Sequence, residues 1–260
     1  IIVSFCSPEA ARVSYGLGMQ HICFSDSPHA KAVMRLVIPL VQKLLIPWII
    51  PKKEFTKFGI HTKDIIHYKA IDAAVITKRK ILKNSNRPAK KEKSKTILIR
   101  VEEEEASYSS KKRPAVPIIK EIIRNFHNEK IVIMTRYSSQ ARDLAQTFGN
   151  KIKILDKAVD GKTLLNSANV FIGSGGTMTA ESALLGIPTI SYNAVPNIIE
   201  AYLVRKKLVV RKGNPRQIAI SVRKLLDSPN LEIKKRAKKM LDSMEDPYPI
   251  LLKTIKSILK

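Results

Sequence analysis

Short apolar runs alternate along this chain with stretches whose apolar residues recur every three or four positions. That alternation predicts βα units on a mostly parallel sheet. Ile1-Ile2-Val3-Ser4-Phe5 reads as a buried strand. Ser7 is placed to cap the helix after it, with Pro8 at the first helical position. Ala10, Val13 and Leu17 mark one face of that helix, and Gly16 and Gly18 end it. His21–Phe24 is the next strand, and Asp26-Ser27-Pro28-His29 leads into a helix with Val33, Met34 and Val37 on its apolar side. A third strand is expected over Lys43–Ile46.

Residues 83–95 are almost devoid of apolar side chains and read as a basic, solvated linker. A second βα series follows. Strands are predicted at 96–101, 130–134, 152–155, 169–172, 188–192 and 207–210. Helices are predicted at 114–127, 138–147, 161–167, 177–185, 196–205 and 214–226. Two more helices close the chain; in the last, Leu251, Ile255, Ile258 and Leu259 share a face. The expected domains are therefore 1–82, the linker 83–95, 96–245, and a C-terminal amphipathic helix over 246–260. A doubly wound domain takes roughly 100–150 residues. Residues 1–82 fall short of that, so the N-terminal domain is expected to be incomplete, its missing elements preceding Ile1.

Composition narrows the classes. Two cysteines, Cys6 and Cys23, are too few for a disulfide scaffold and suit a reducing compartment. The most apolar stretch, Leu36–Ile50, is broken by Pro39, Gln42, Lys43 and Pro47, short of the ~20 apolar residues of a membrane span. The net charge of +25 favours an anionic partner. Nucleic acid is disfavoured, because one Trp and 6% aromatic residues make no stacking platform. His21, His61, His67 and His127 show no metal-ligand spacing, and neither cysteine has a zinc-finger partner. No metal or cofactor is expected.

The strongest local signal runs from Asn169 to Ser182. A buried strand ends at Ile172, the turn Gly173-Ser174-Gly175-Gly176 follows, and a helix opens near Thr177, which could cap it. Such a turn brings backbone N–H groups close to an anion, and the helix N-terminus adds partial positive charge. Glu181, four residues on, shares a face with Thr177 and could accept hydrogen bonds from a ribose diol. Those residues describe a nucleotide-diphosphate pocket. Their other reading is a tight turn whose glycines serve packing alone, with Glu181 in a surface pair. A dehydrogenase fingerprint fits poorly, since Met178 occupies the third glycine position, and no Gly-Lys-Ser/Thr completes a Walker loop.

The stretch Gly173 to Ser191 closely resembles a signature of the family called domain of unknown function 354. Ser7-Pro8-Glu9-Ala10-Ala11-Arg12, Asp26-Ser27-Pro28-His29-Ala30, Arg100 and Val159-Asp160-Gly161 fit as well. That family is similar to the glycosyltransferase-B and UDP-N-acetylglucosamine 2-epimerase superfamily. The resemblance implies an α/β protein of two Rossmann-like domains, with the nucleotide sugar held mainly by the C-terminal one. It implies that Gly175, Gly176 and Thr177 hold the diphosphate, that Glu181 meets the ribose, and that Arg100 neutralises phosphate charge. An ion pair with the run Glu102–Glu105 is the other reading of Arg100.

The departures from the epimerases point away from their reaction. They carry an acidic residue where this chain has Cys6-Ser7, and a glutamate where it has Asp26. Arg35 matches an arginine on the following helix, but the acidic residue expected near it is absent. Asp26 with His29 is left as the acid/base candidate at a strand's carboxyl edge; Asp26 also suits a helix N-cap. The sequence thus predicts a nucleotide-sugar-binding protein, a glycosyltransferase using a UDP-type sugar. The alternative is a non-catalytic binding or assembly module left by loss of half the N-terminal domain. The expected place is the cytoplasm. Docking to an anionic inner membrane face or a lipid-linked acceptor, with Trp48, Phe55 and Phe58 beside Lys52, Lys53 and Lys57, stands against ordinary solvated basic faces and core packing.

Overall fold

The computed structural model of the chain describes residues 1–79, 94–107, 114–155 and 160–259. Most of the expected linker, and Val159 of the Val-Asp-Gly turn, lie outside them. Two compact units are present. One comprises Ile1–Val75, Asn197–Ile199 and Asp242–Lys260, and the other comprises Ile76–Pro196 and Glu200–Leu241. The closing residues thus group with the first sheet rather than standing apart.

The first unit is a four-stranded parallel sheet in sequence order: β1 (Ile2–Ser4), β2 (His21–Phe24), β3 (Lys43–Pro47) and β4 (Ile65–Tyr68). Strand β4, a four-residue run containing His67, is additional to the three read from the sequence. Helix α1 (Pro8–Gly16) joins β1 to β2, and Ser7 caps it by accepting the Ala10 N–H at 3.1 Å. Its buried face is not the expected one. Ala11 and Ser14 pack inward, while Val13 and Leu17 are 60% and 69% exposed. Small side chains let the helix lie close to the sheet, and the larger apolar ones are left outside. Helix α2 (Lys31–Val37) buries Met34 and Val37, as patterned. Helices α3 (Lys53–Thr56) and α4 (Asp72–Lys78) flank β4 in sequence. Phe55 is fully buried, which removes its ring from any lipid interface.

Strand β1 is an edge. Among the described residues no strand pairs with its outer side, and Ile1, Val3 and Phe5 are all partly or largely exposed there.

The second unit is a six-stranded parallel sheet. Its strands are β5 (Thr96–Arg100), β6 (Lys130–Met134), β7 (Lys153–Ile154), β8 (Val170–Gly173), β9 (Thr189–Ser191) and β10 (Val209–Arg211), in the order β10-β9-β8-β5-β6-β7. Alternate residues feed two cores. Ile97, Ile99, Ile131, Ile133, Val170 and Ile172 pack beneath α5 (Ala115–Asn125) and α10 (Pro215–Asp227). Leu98, Val132 and Phe171 face the other way, against Leu165 of α7 (Gly161–Asn166). Burial on both faces explains why these strands read as continuous apolar runs. The unit also holds α6 (Ser138–Phe148), α8 (Thr177–Leu184), α9 (Ile198–Arg205), which begins in the first unit, and α11 (Leu231–Asp242). The final helix α12 (Tyr248–Ile258) buries Thr254, with Leu251, Ile255 and Ile258 partly covered beside it and Leu259 exposed. No helix among the described residues is long and apolar enough to cross a membrane.

Candidate functional site

The chain enters the second sheet at β5, moves out through β6 and β7, and returns to the other side of β5 at β8. This reversal puts the topological switch point at the carboxyl ends of β5 and β8, the place where open α/β sheets take ligands. The glycine turn, Arg100 and Arg136 all meet this edge.

The glycines of the turn have different jobs. Gly173 closes β8, and a Cβ there would lie 2.5 Å from Thr179 Oγ1 and 2.6 Å from Phe171 Cε1. It is glycine because the protein itself fills the space. Ser174 is buried, with its hydroxyl beside Tyr192. Gly175 has φ 103°, which only glycine adopts readily. Its N–H donates to Thr179 Oγ1 at 3.2 Å, so this amide is already engaged within the turn.

Gly176 and Thr177 are exposed. The N-cap of α8 is Gly176, and Thr177 is the first helical residue rather than the cap expected of it. No protein acceptor among the described residues takes the N–H groups of Gly176, Thr177 or Met178. These are the unsatisfied donors of a helix N-terminus, aimed where its dipole favours an anion.

Two guanidinium groups stand at the same edge. Arg100 ends β5 and is partly buried, donating from Nη1 to the Thr135 carbonyl at 2.6 Å. It makes no ion pair among the described residues, so its expected alternative, pairing with Glu102–Glu105, is not what the structure has. Glu102 is instead buried and receives the Tyr192 hydroxyl at 2.7 Å. Burial and the neighbouring Arg136 both lower the Arg100 pKa, so a site anion would relieve a real cost there. Arg136, just past β6, pairs with Glu103 at 3.5 Å, and its Nη2 lies 3.9 Å from where a Cβ on Gly176 would sit. Sequence reasoning missed Arg136, although it follows a buried strand much as Arg100 closes one.

Glu181 lies one helical turn beyond Thr177 and is partly buried. Its Oε2 is 3.9 Å from a Cβ position on Gly161, at the start of α7, where Asp160 caps the helix through the Thr163 N–H. Burial raises the Glu181 pKa, with Arg79 opposing and Asp160 adding to the rise. Its carboxylate has no hydrogen bond or ion pair among the described residues, so it is not the surface pair allowed for it.

Asp26 and His29 belong to the first unit, in the loop from β2 to α2. Asp26 does not cap α2; that position is Ala30, and Asp26 Oδ1 accepts from the Ser27 hydroxyl at 2.6 Å. Burial lowers the His29 pKa, and the charge of Asp26 acts against this. Arg35 is exposed on α2. The carboxyl edge of this sheet also carries Asp72, in the first turn of α4, which accepts a hydrogen bond from the buried Tyr68 hydroxyl. Burial, then the charge of Asp26, pushes its carboxyl up to about 7. Nothing in the local sequence marks Asp72. Among the described residues no three His, Cys, Asp or Glu side chains group as metal ligands would.

Two parallel α/β sheets of four and six strands, each wound with helices, are the architecture of glycosyltransferase-B-type proteins. The chain, which has this fold, belongs to the family described as Protein of unknown function (DUF354), whose profile matches residues 1–260. An uncharacterized protein of Methanocaldococcus jannaschii is 28% identical over 222 residues, covering 82% of this chain and 63% of that relative. The chain therefore spans less than two thirds of the curated relative it matches. Among solved structures, the UDP-GlcNAc 2-epimerase from Neisseria meningitidis, bound to UDP-GlcNAc, superimposes with a TM-score of 0.70 at 15% identity. That match covers 98% of this chain and 76% of the epimerase. A glycotransferase of kitacinnamycin gives a TM-score of 0.59 at 13% identity, over 93% of this chain and 70% of the other. At such identities the likeness is one of fold.

Proposed function

We propose that the protein binds a nucleotide sugar of UDP type through residues 96–245, which carry the six-stranded sheet, and transfers the sugar as a glycosyltransferase. The observation that carries this reading is the turn from β8 to α8. There the amides of Gly176 and Thr177, two guanidinium groups and the uncommitted Glu181 carboxylate converge on one sheet edge. The amides and the helix dipole would take the diphosphate, Arg100 and Arg136 would neutralise it, and Glu181 would accept from the ribose hydroxyls. The solved neighbours bound to UDP-GlcNAc support the choice of ligand class.

Sugar transfer releases a nucleoside diphosphate, and negative charge grows on it as the glycosidic bond breaks. Fixed donors placed for that charge stabilise the transition state more than the bound substrate. Asp26 and His29 of residues 1–82 are the groups we assign to proton transfer at the acceptor. The acceptor-side role of the first unit, and a lipid-linked acceptor at an anionic membrane face, belong to the same proposal.

Titration calorimetry with UDP and UDP-sugars tests it. Glu181→Ala should weaken binding by about 1–3 kcal/mol through loss of a hydrogen bond to a charged group. An unchanged affinity would remove Glu181 from the site. Turnover separates the transferase from a non-catalytic module, since the module would bind UDP-sugar yet release no UDP with any acceptor.

A further inference from the structure

The two cysteines, 17 residues apart in sequence, meet at the carboxyl ends of β1 and β2. Ser4 is in register with Cys23 across the parallel pair. Beyond Ser4 the backbone turns through Cys6, whose φ of 49° is left-handed for a side chain that rarely tolerates it. That turn folds Cys6 back onto the strand beside it. Its N–H donates to Cys23 Sγ at 3.2 Å, and the two sulfur atoms stand 3.3 Å apart. A backbone outlier of this kind persists only where its surroundings hold it, and it points to a function for the residue so held.

The two thiols are unequal. Cys23 is fully buried in β2, while Cys6 is partly exposed. The hydrogen bond between them favours the thiolate of Cys6, against burial and the charges of Asp26 and Asp72. The same bond, together with burial, pushes the Cys23 thiol far up. One sulfur is thus reachable and inclined to ionise, with the second directly behind it.

We infer that Cys6 and Cys23 form a thiol–disulfide exchange site that takes a low-molecular-weight disulfide such as oxidised glutathione. The Cys6 thiolate attacks one sulfur of that disulfide, forming a mixed disulfide and expelling one thiolate. Cys23 then attacks the Cys6 sulfur, its proton passing to the second small thiolate as that leaves. Two protein thiols are oxidised, the small disulfide is reduced to two thiols, and a Cys6–Cys23 bond forms. Closing 3.3 Å to the ~2.05 Å of a disulfide needs only a short approach of groups already in contact. The product would tie together the ends of β1 and β2, three residues before Asp26. The site is independent of the nucleotide reading, because its readout is the state of the thiols.

The full chain is equilibrated with oxidised glutathione at neutral pH, quenched with acid, alkylated in denaturant and analysed by mass spectrometry. The expected result is loss of both alkylatable thiols, a linked peptide pair containing Cys6 and Cys23 within one chain, and full recovery of both thiols with dithiothreitol. Cys23→Ala should instead accumulate glutathione on Cys6, and Cys6→Ser should leave Cys23 unmodified. Two thiols still alkylated in the wild-type chain would overturn the inference, as would a stable glutathione adduct or a disulfide between chains. The wild-type result stands whether or not either variant folds.

Discussion

Thr179 occupies the space that a side chain on Gly173 would need, its hydroxyl lying 2.5 Å from the Cβ position. Gly176, three residues along the same turn, has only Arg136 Nη2 near its own Cβ position, at 3.9 Å. The two glycines should therefore fail differently. Gly173→Ala should cost about 1–3 kcal/mol of stability by overpacking, read from urea unfolding. Gly176→Ala should cost less than about 1 kcal/mol, the loss of a favourable N-cap residue, while reducing UDP affinity. Equal losses of stability would mean that both serve packing alone.

Arg136 offers a sharper test of the phosphate role. Its pair with Glu103 is partly exposed, so Arg136→Ala should change stability by no more than about 1 kcal/mol. Removing a charged donor from a bound diphosphate should cost about 1.5–3 kcal/mol, roughly a 10- to 100-fold rise in Kd for UDP. Calorimetry with wild type and variant at one salt concentration measures it, and an unchanged Kd would take Arg136 out of the site.

The patterning exposed most of the second unit because its strands are apolar on both faces and two of its helices, α7 and α10, carry side-chain caps. Asn214, for example, accepts the Arg216 N–H at 3.0 Å ahead of Pro215, as a helix start should. The first unit was harder. A run as short as Ile65–Tyr68 carries no period, and α1 buries the small Ala11 and Ser14 rather than the larger apolar Val13 and Leu17. The site was legible where one segment builds it, as in Gly173 to Glu181. It was hidden where the fold brings distant residues together: Asp72 feels Asp26 across the sheet, and Cys6 finds Cys23 only through a turn in the backbone.

Asp72 should leave a mark on stability as pH changes. Its carboxyl ordinarily titrates at 3.8 and is raised to about 7 in the folded chain. Between those values the native state holds a proton that the unfolded state has lost. Stability from this group is thus complete below about 4 and falls away as pH rises to about 7. His21 and His29, held low by burial, slope the other way below 6.5. The difference between wild type and Asp72→Asn isolates the carboxyl, and the variant should lose the fall. Parallel profiles of the two proteins would contradict the assignment.

Glu200 is 1% exposed and receives Arg211 Nε at 3.0 Å, within the second unit. Arg211→Ala would remove the guanidinium that neutralises this buried carboxylate. Since the arginine is itself 39% exposed, a loss of about 1–3 kcal/mol is expected in urea unfolding, below the usual range for a fully buried pair. Removing Lys235 from its exposed pair with Glu232 should change nothing measurable.

Mutual repulsion from a net charge of +25 holds molecules of this chain apart. Added salt shortens the reach of that repulsion, to about 3 Å at 1 M, and leaves apolar attraction untouched. Purification in strong brine should therefore clump the protein, and dilute buffer should keep it dispersed.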